Sequence, residues 1–256
     1  MVPNEWVDRY REQGFLHVPG VLTADETAKF LDAAEQALVE HETVKWDLGA
    51  GHVAFDWVPD VDQRSPVLRR LALHPRVTEI ATALTGGRLR LFKSELLRKR
   101  PAGEMVITPA HDDRKTWPFT GSPAPVTAWV ALVDVPVERG CMSFIPGSHL
   151  RSPAAEADQD RADVYPLSYW PELAAMPRIT VPLLAGDVTF HHDRTIHLAG
   201  ANRTEVTRIA QTTVYMPESA TFRHSKYYAG WVGTTDPDLG GLQPGQPLDG
   251  PRFPTV

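Results

Sequence analysis

From Arg88 onward the chain is a series of short β-type runs punctuated by proline and glycine, at residues 88–92, 126–134, 143–145, 179–181, 188–191 and 206–215. Runs this short, rich in branched and aromatic residues, cannot complete a buried helix face. They predict an antiparallel sandwich or jelly roll. The segment ahead of them reads differently. Asn4 is placed to cap a helix that ends near Gly14, and Phe15-Leu16-His17-Val18 forms a short strand closed by Pro19-Gly20. Thr23 and Glu26 have capping-box spacing, after which Phe30, Leu31, Ala34 and Leu38 fall on one helical face. Residues 43–64 read as irregular. Ser65-Pro66 starts a further helical stretch through Leu73, continued from Pro75 to Thr85 and stopped by Gly86-Gly87. The expectation is a mainly β chain with N-terminal helices, folded as a single domain over residues 1–256. Within it, 1–87 is a mostly helical layer, 88–216 a β core with a lid at 151–177, and 217–256 a Pro/Gly-rich segment.

Charge removes several function classes. Among 256 residues, 26 Lys and Arg stand against 32 Asp and Glu, a net charge of −6. A phosphate backbone or anionic bilayer attracts a cationic surface, so neither nucleic acid nor a membrane is expected as a partner. No apolar run approaches the ~18–20 residues that span a bilayer. The N-terminus is charged where a leader would be apolar, and the one cysteine, Cys141, has no intramolecular partner. A cytoplasmic protein acting on a small molecule is expected, with monomer and homodimer both open.

Two polar clusters interrupt the β runs. His111-Asp112-Asp113 lies in a turn, and His191-His192-Asp193-Arg194-Thr195-Ile196-His197 lies far downstream. In an extended segment residues i and i+2 point the same way, so His111 and Asp113 can reach one ion while Asp112 cannot. Two histidines and one carboxylate on one side of a metal leave its other positions open, which suits non-haem Fe(II). A lone His-x-Asp is also a common solvated turn. Arg208 lies eleven residues past His197. Across the intervening turn the two can occupy neighbouring strands facing one pocket, where a guanidinium would grip a carboxylate in a bidentate pair. A surface ion pair with Glu205 is the alternative.

These segments, together with Gln13–Leu22, Thr127–Asp134, Arg139–His149 and Ala185–His192, resemble in order and spacing the phytanoyl-CoA dioxygenase-like branch of the Fe(II)/2-oxoglutarate oxygenases. The resemblance covers about residues 5–216. It implies a double-stranded β-helix (jelly roll, cupin-like) with His111, Asp113 and His197 as iron ligands and Arg208 on the distal carboxylate of 2-oxoglutarate. It also implies Trp129 as an aromatic beside the cosubstrate, with Thr127 on the same strand face, and Lys93 or another polar residue of the strand Leu91–Leu97, as further contacts. The cofactors implied are Fe(II), 2-oxoglutarate and O2, with ascorbate as a reductant. His192 reads as pocket lining, His149 as a structural hydrogen bond and Cys141 as a small buried residue. Trp117, Phe119 and Tyr169 are candidate substrate walls that could equally pack in the core.

The implied reaction is oxidation of an unactivated C–H bond with release of succinate and CO2. Related halogenases replace the carboxylate ligand with Gly or Ala; Asp113 is present, so hydroxylation, cyclisation, epimerisation, desaturation or epoxidation is expected instead. Net acidity of 151–177 disfavours an acyl-CoA. Only six of the 26 basic residues are lysine, a skew expected of a GC-rich genome, where tailoring of a secondary metabolite such as an antibiotic is a reasonable role. The competing readings are a cupin-type metal-dependent isomerase or hydrolase without 2-oxoglutarate, and a non-catalytic binding protein.

Overall fold

A computed structural model describes residues 1–101, 104–114, 116–151, 167, 170–225, 239 and 241–256. The chain opens with helix α1 (Asn4–Gln13), strand β1 (Phe15–Val18) and helix α2 (Ala24–Glu40). Pro3, not Asn4, occupies the first cap and makes no side-chain bond. The Thr23–Glu26 capping box forms as expected, with both reciprocal bonds present. There follow β2 (Val44–Asp47), β3 (Val53–Val58) and three short helices, α3 (Val61–Arg64), α4 (Pro66–Ala72) and α5 (Pro75–Thr85). The rest is β4 (Leu89–Lys99), β5 (Thr108–His111), β6 (Phe119–Thr120), β7 (Val126–Ala131), β8 (Met142–Phe144), β9 (Ile179–Val181), β10 (Val188–His192), β11 (His197–Ala199), β12 (Arg208–Pro217) and β13 (Thr221–Phe222).

Residues 43–64 are therefore not irregular. β2 and β3 form a hairpin, Val44 opposite Trp57, whose short alternating runs are masked in the sequence by charged residues on the exposed face. The N-terminal layer also contributes strands to both edges of one sheet. That seven-stranded antiparallel sheet has the order β1-β10-β7-β12-β4-β3-β2, and it faces a four-stranded sheet of order β5-β11-β8-β9. The pair is a double-stranded β-helix of the jelly-roll type, mainly β with helices on one side.

The large sheet is buried on both faces. On its outer face α1, α2, α4 and α5 pack through Tyr10, Phe30, Leu71 and Ile80 against the central strands, among whose residues are Val126, Ala128, Val130, Phe190 and Tyr215. The inner face packs on the small sheet through Phe15, Trp129, Ala131, Phe144 and Val181, and Phe15 stacks on Phe144 with centroids 4.4 Å apart. The segment 217–256, where described, returns along the sandwich: Leu248 and Phe253 pack with Phe92, Trp117 and Phe119. Residues 152–166, 168 and 169 lie outside the described residues, and with them most of the expected lid and Tyr169. Among the described residues no helix is long and apolar enough to cross a membrane.

Gly14 ties the helical layer to the histidine-rich segment. It terminates α1 at φ +81°, and its carbonyl accepts from His192 N–H at 2.9 Å and from Thr195 Oγ1 at 2.7 Å. A Cβ at this position would lie 2.4 Å from both His149 Nδ1 and Thr195 Oγ1. Both the left-handed backbone and the contact therefore demand glycine. Gly14→Ala is expected to lower unfolding stability by about 2 kcal/mol or more, read as a reduced midpoint in urea titration.

Candidate active site

Side chains alternate across a strand, and three central strands of the large sheet use that alternation to divide core from site. On β12, Ile209, Gln211 and Tyr215 face the helices, where Gln211 Nε2 donates to Leu68 O at 2.9 Å and Tyr215 Oη to Ala72 O at 2.7 Å. Arg208, Thr212 and Val214 face the other way, into a cavity between the sheets. Thr127 and Trp129 of β7 and His191 of β10 face the same cavity, and His191 stands opposite Thr127 in register.

The small sheet and its turns supply the rest. His111 ends β5 and is paired directly with His197 at the start of β11; Asp113 follows in the turn. Their ligating atoms all lie within 4.8 Å of one another, a group that could hold a metal ion. Backbone carbonyls orient both imidazoles. His111 Nδ1 lies 2.8 Å from Pro109 O and His197 Nδ1 lies 3.0 Å from Thr195 O, so in each ring Nδ1–H donates and the Nε2 lone pair is left for a metal. Asp113 is oriented too: its Oδ2 accepts from Thr127 Oγ1 at 3.1 Å and meets His191 Nε2 at 3.3 Å, while Oδ1 turns toward His197 Nε2 at 3.8 Å and His111 Nε2 at 4.0 Å. Burial raises the Asp113 carboxyl, but the three histidines facing it outweigh burial and hold it below the usual carboxylate range. Burial also lowers both His111 and His197, which keeps them neutral and able to ligate.

Arg208 stands at the other end of the cavity, 2 % exposed. Its Nη1 donates to Gly140 O at 2.7 Å and its guanidinium lies 5.5 Å from the Trp129 ring centroid. Among the described residues no carboxylate pairs with it, and its buried Nε has no acceptor. Burial lowers its pKa to about 10. A desolvated cation left uncompensated inside a protein is costly, and among the described residues no anion offsets this one, so this end of the cavity suits an anionic ligand.

The expected residues divide accordingly. His111, Asp113, His197, Arg208, Trp129 and Thr127 share the cavity, but His197 and Arg208 come from opposed sheets, not neighbouring strands. The hydroxyl of Thr127 is engaged by Asp113. Asp112 turns away into an ion pair with Arg151 at 2.8 Å, as the i, i+2 argument requires. Lys93 does not reach the Arg208 end. It pairs with Glu95 at 2.5 Å and stands opposite Val214, whereas Lys99, roughly 20 Å further along an extended strand, stands opposite Arg208. Trp117 lines the cavity, and Phe119 stacks parallel to it, lining instead a second cavity that Trp117 also borders. His192 does not line the site: it turns to Asp193 at 2.8 Å and to the His149 ring, and its neighbour His191 takes the inward position. Val188 and Phe190 carried the signal for this, because apolar residues facing the helices leave the odd-numbered positions to face the site. Trp46, Phe55, Thr108 and Lys99 were also missed; the first two sit on the hairpin hidden in 43–64, with Trp46 edge-on to His111 at 4.9 Å.

Thr127→Val removes a donor that aims the Asp113 carboxylate. It is expected to weaken divalent-metal binding about tenfold to a hundredfold in anaerobic calorimetry, with Thr127→Ser near wild type.

A model of the family described as phytanoyl-CoA dioxygenase (PhyH) matches residues 10–210. The peroxisomal phytanoyl-CoA dioxygenase of Rattus norvegicus is 26 % identical over 227 residues, covering 80 % of this chain and 66 % of that protein. The Mus musculus enzyme is 26 % identical over 215 residues, and the match covers 77 % of this chain and 63 % of it, so the chain spans somewhat under two thirds of these relatives. Two solved structures are more similar. The α-ketoglutarate-dependent epimerase SnoN from nogalamycin biosynthesis is 43 % identical with a TM-score of 0.83, covering 98 % of this chain and 97 % of that one. The carbocyclase SnoK from the same biosynthesis is 41 % identical with a TM-score of 0.88, covering 100 % and 96 %. The matched span runs from Tyr10 in the first helix to Ala210, two residues beyond Arg208, and so takes in both ends of the cavity: the chain belongs to the phytanoyl-CoA dioxygenase family.

Proposed function

We propose that the chain is a non-haem Fe(II)/2-oxoglutarate-dependent oxygenase that acts on an unactivated C–H bond of a secondary metabolite. The observation that carries this reading is one cavity with two complementary ends. His111, Asp113 and His197 offer two imidazole lone pairs and one carboxylate oxygen at one end, and an uncompensated arginine waits at the other. Those three side chains would hold the metal, and Arg208 would meet the distal carboxylate of a keto acid bound beside it.

When bound, Fe(II) and 2-oxoglutarate supply the oxidising chemistry, with O2 consumed and the keto acid released as succinate and CO2. The protein's own residues orient and exclude. Thr127 and His191 hold Asp113, Trp129 packs beside Arg208, and the apolar walls Trp46, Phe55, Leu97 and Trp117 keep water from the reacting bond. The buried Nε1–H of Trp117 has no acceptor among the described residues, so it is a ready donor to a substrate oxygen.

An aromatic or polycyclic natural product of antibiotic type suits this site better than an acyl-CoA. The main cavity is walled largely by aromatic and apolar side chains, Trp46, Phe55, Leu97, Trp117 and Trp129 among them. Trp117 also borders a second cavity with Arg114, Asp193 and Arg223 in its walls, polar groups that suit an appendage such as a sugar. Similarity to SnoN, solved with Fe3+, α-ketoglutarate and nogalamycin RO, supports the same substrate class. An epimerase and a carbocyclase are about equally similar, so the outcome after hydrogen abstraction rests on how the substrate is held. One domain, small-molecule partners and a cytoplasmic location complete the reading.

Anaerobic addition of Fe(II) and then 2-oxoglutarate to the purified protein tests it, through the visible charge-transfer band of a chelated keto acid. The band is expected in wild type and in Asp112→Ala. It is expected to be absent in Asp113→Ala and His197→Ala, and in Arg208→Ala to need at least about tenfold more 2-oxoglutarate. Iron binding without any band would point instead to the isomerase or hydrolase reading.

A further inference from the structure

Metal and keto acid leave one charged group in the main cavity without a task. His111, Asp113 and His197 are the ligand set, His191 holds Asp113, and Arg208 faces the cosubstrate end; the remaining charged side chain among the described lining residues is Glu95 of β4. Its place follows from strand register. Glu95 stands opposite Thr212 of β12, which stands opposite Trp129 of β7, so it lies two strands from Trp129, about 10 Å away on the same sheet. Asp113 is held on the β7 side by Thr127, and the register partner of Arg208 is Lys99, four residues or about 13 Å further along β4. Glu95 is therefore remote from both ends and borders the space left for a substrate.

A carboxylate among apolar walls is costly unless it is matched. Lys93 matches it. Its ammonium donates to Glu95 Oε1 at 2.5 Å and lies 5.3 Å from the Trp117 ring centroid. Glu95 lines the cavity with its side chain 18 % exposed, and Lys93, 7 % exposed, stands behind it. Glu95 Oε2 makes no hydrogen bond among the described residues. Replacing a buried ion pair by apolar residues is often neutral or stabilising, so stability alone does not explain a charged pair set in this wall. Unlike Arg208, the pair carries no net charge and calls for no counter-ion. What its second oxygen lacks is a donor, and a neutral O–H supplies one.

Resting on the oxygenase reading above, we infer that Glu95 is the residue that selects the substrate, by accepting at Oε2 a hydrogen bond from a hydroxyl of a ring system. Lys93 is the positioning residue that aims the carboxylate and cancels its charge. Trp46, Phe55, Leu97 and Trp117 take the rings, and the hydroxyl lies remote from the C–H bond to be oxidised. Binding energy collected at a remote group then fixes which C–H bond meets the metal end.

The test measures, by anaerobic calorimetry on protein loaded with Fe(II) and 2-oxoglutarate, the binding of three probes that share one ring system. They are 2-naphthol, its methyl ether 2-methoxynaphthalene, which cannot donate, and 2-naphthylmethylamine, which carries an ammonium. Wild type is expected to bind the naphthol at least about tenfold more tightly than the ether, the range of a hydrogen bond to a charged group. In the apolar double variant Lys93→Met/Glu95→Leu the naphthol weakens about tenfold to a hundredfold and the preference disappears, while retained Fe(II) affinity shows that the cavity has kept its shape. Glu95→Gln, which keeps an acceptor, retains a preference of at least about threefold. Lys93→Met strips the carboxylate of its cation, so the ammonium probe gains at least about tenfold. Wild type that binds the ether as well as the naphthol, that binds neither, or that prefers the ammonium overturns the inference. The charge-transfer band, read in the same samples, reports on the oxygenase reading separately: a wild-type protein without it defeats that reading and this inference with it, whereas a band without hydroxyl preference overturns this inference alone.

Discussion

The site depends on a sheet buried on both faces. A strand in such a sheet has no solvent side on which to leave its polar groups, so each one must find a partner in the helices or in the cavity. β12 divides its polar groups between the two: Gln211 and Tyr215 donate to backbone carbonyls of the helical layer, while Arg208 and Thr212 face inward. The helices therefore do more than cover an apolar surface. By taking the Val126, Val130, Phe190 and Tyr215 face, they commit Thr127, Trp129, His191 and Arg208 to the opposite one.

Charge inside the cavity is separated by role. Asp113 is surrounded by three imidazoles, two of which keep their Nε2 lone pairs pointed at the space beside it. At the far end Arg208 and Lys99 are both desolvated and meet only carbonyl and hydroxyl oxygens. Neither end is electrostatically content alone, because burial opposes every charge that is not matched nearby. A divalent cation held at one end and a dicarboxylate at the other would offset both penalties.

Much of this was legible beforehand. The capping box at Thr23, the helix stop at Gly86, the strand at Phe15–Val18 and the β-type runs after Arg88 are local features, written in adjacent residues. His111, Asp113 and Arg208 were singled out in sequence less by the His-x-Asp step, which is common in solvated turns, than by the order and spacing of the segments that resemble the family. The β2–β3 hairpin was not legible, because strands of four and six residues, one with charges on its open face and the other with a buried aspartate, carry almost no period. In sequence His192 stands in for His191 because neighbouring histidines differ only in strand parity, and parity is set by what packs on each face. Lys93 stands in for Lys99 in the same way, because nothing along β4 marks which of its cations faces Arg208.

The sequence by itself determined the class of chain: a negatively charged, mainly β protein with a helical front and a His-x-Asp motif paired with a distant histidine and arginine. Local propensity, net charge and motif spacing are properties of the chain before it folds. Only the tertiary structure decided which polar groups meet. The pairing of His111 with His197, the grip of Thr127 and His191 on Asp113, and the meeting of Lys99, Thr108 and Arg208 join residues brought together by strand register and sheet closure. The hydrogen bonds and desolvation that give those residues their chemistry come into being with those long-range contacts.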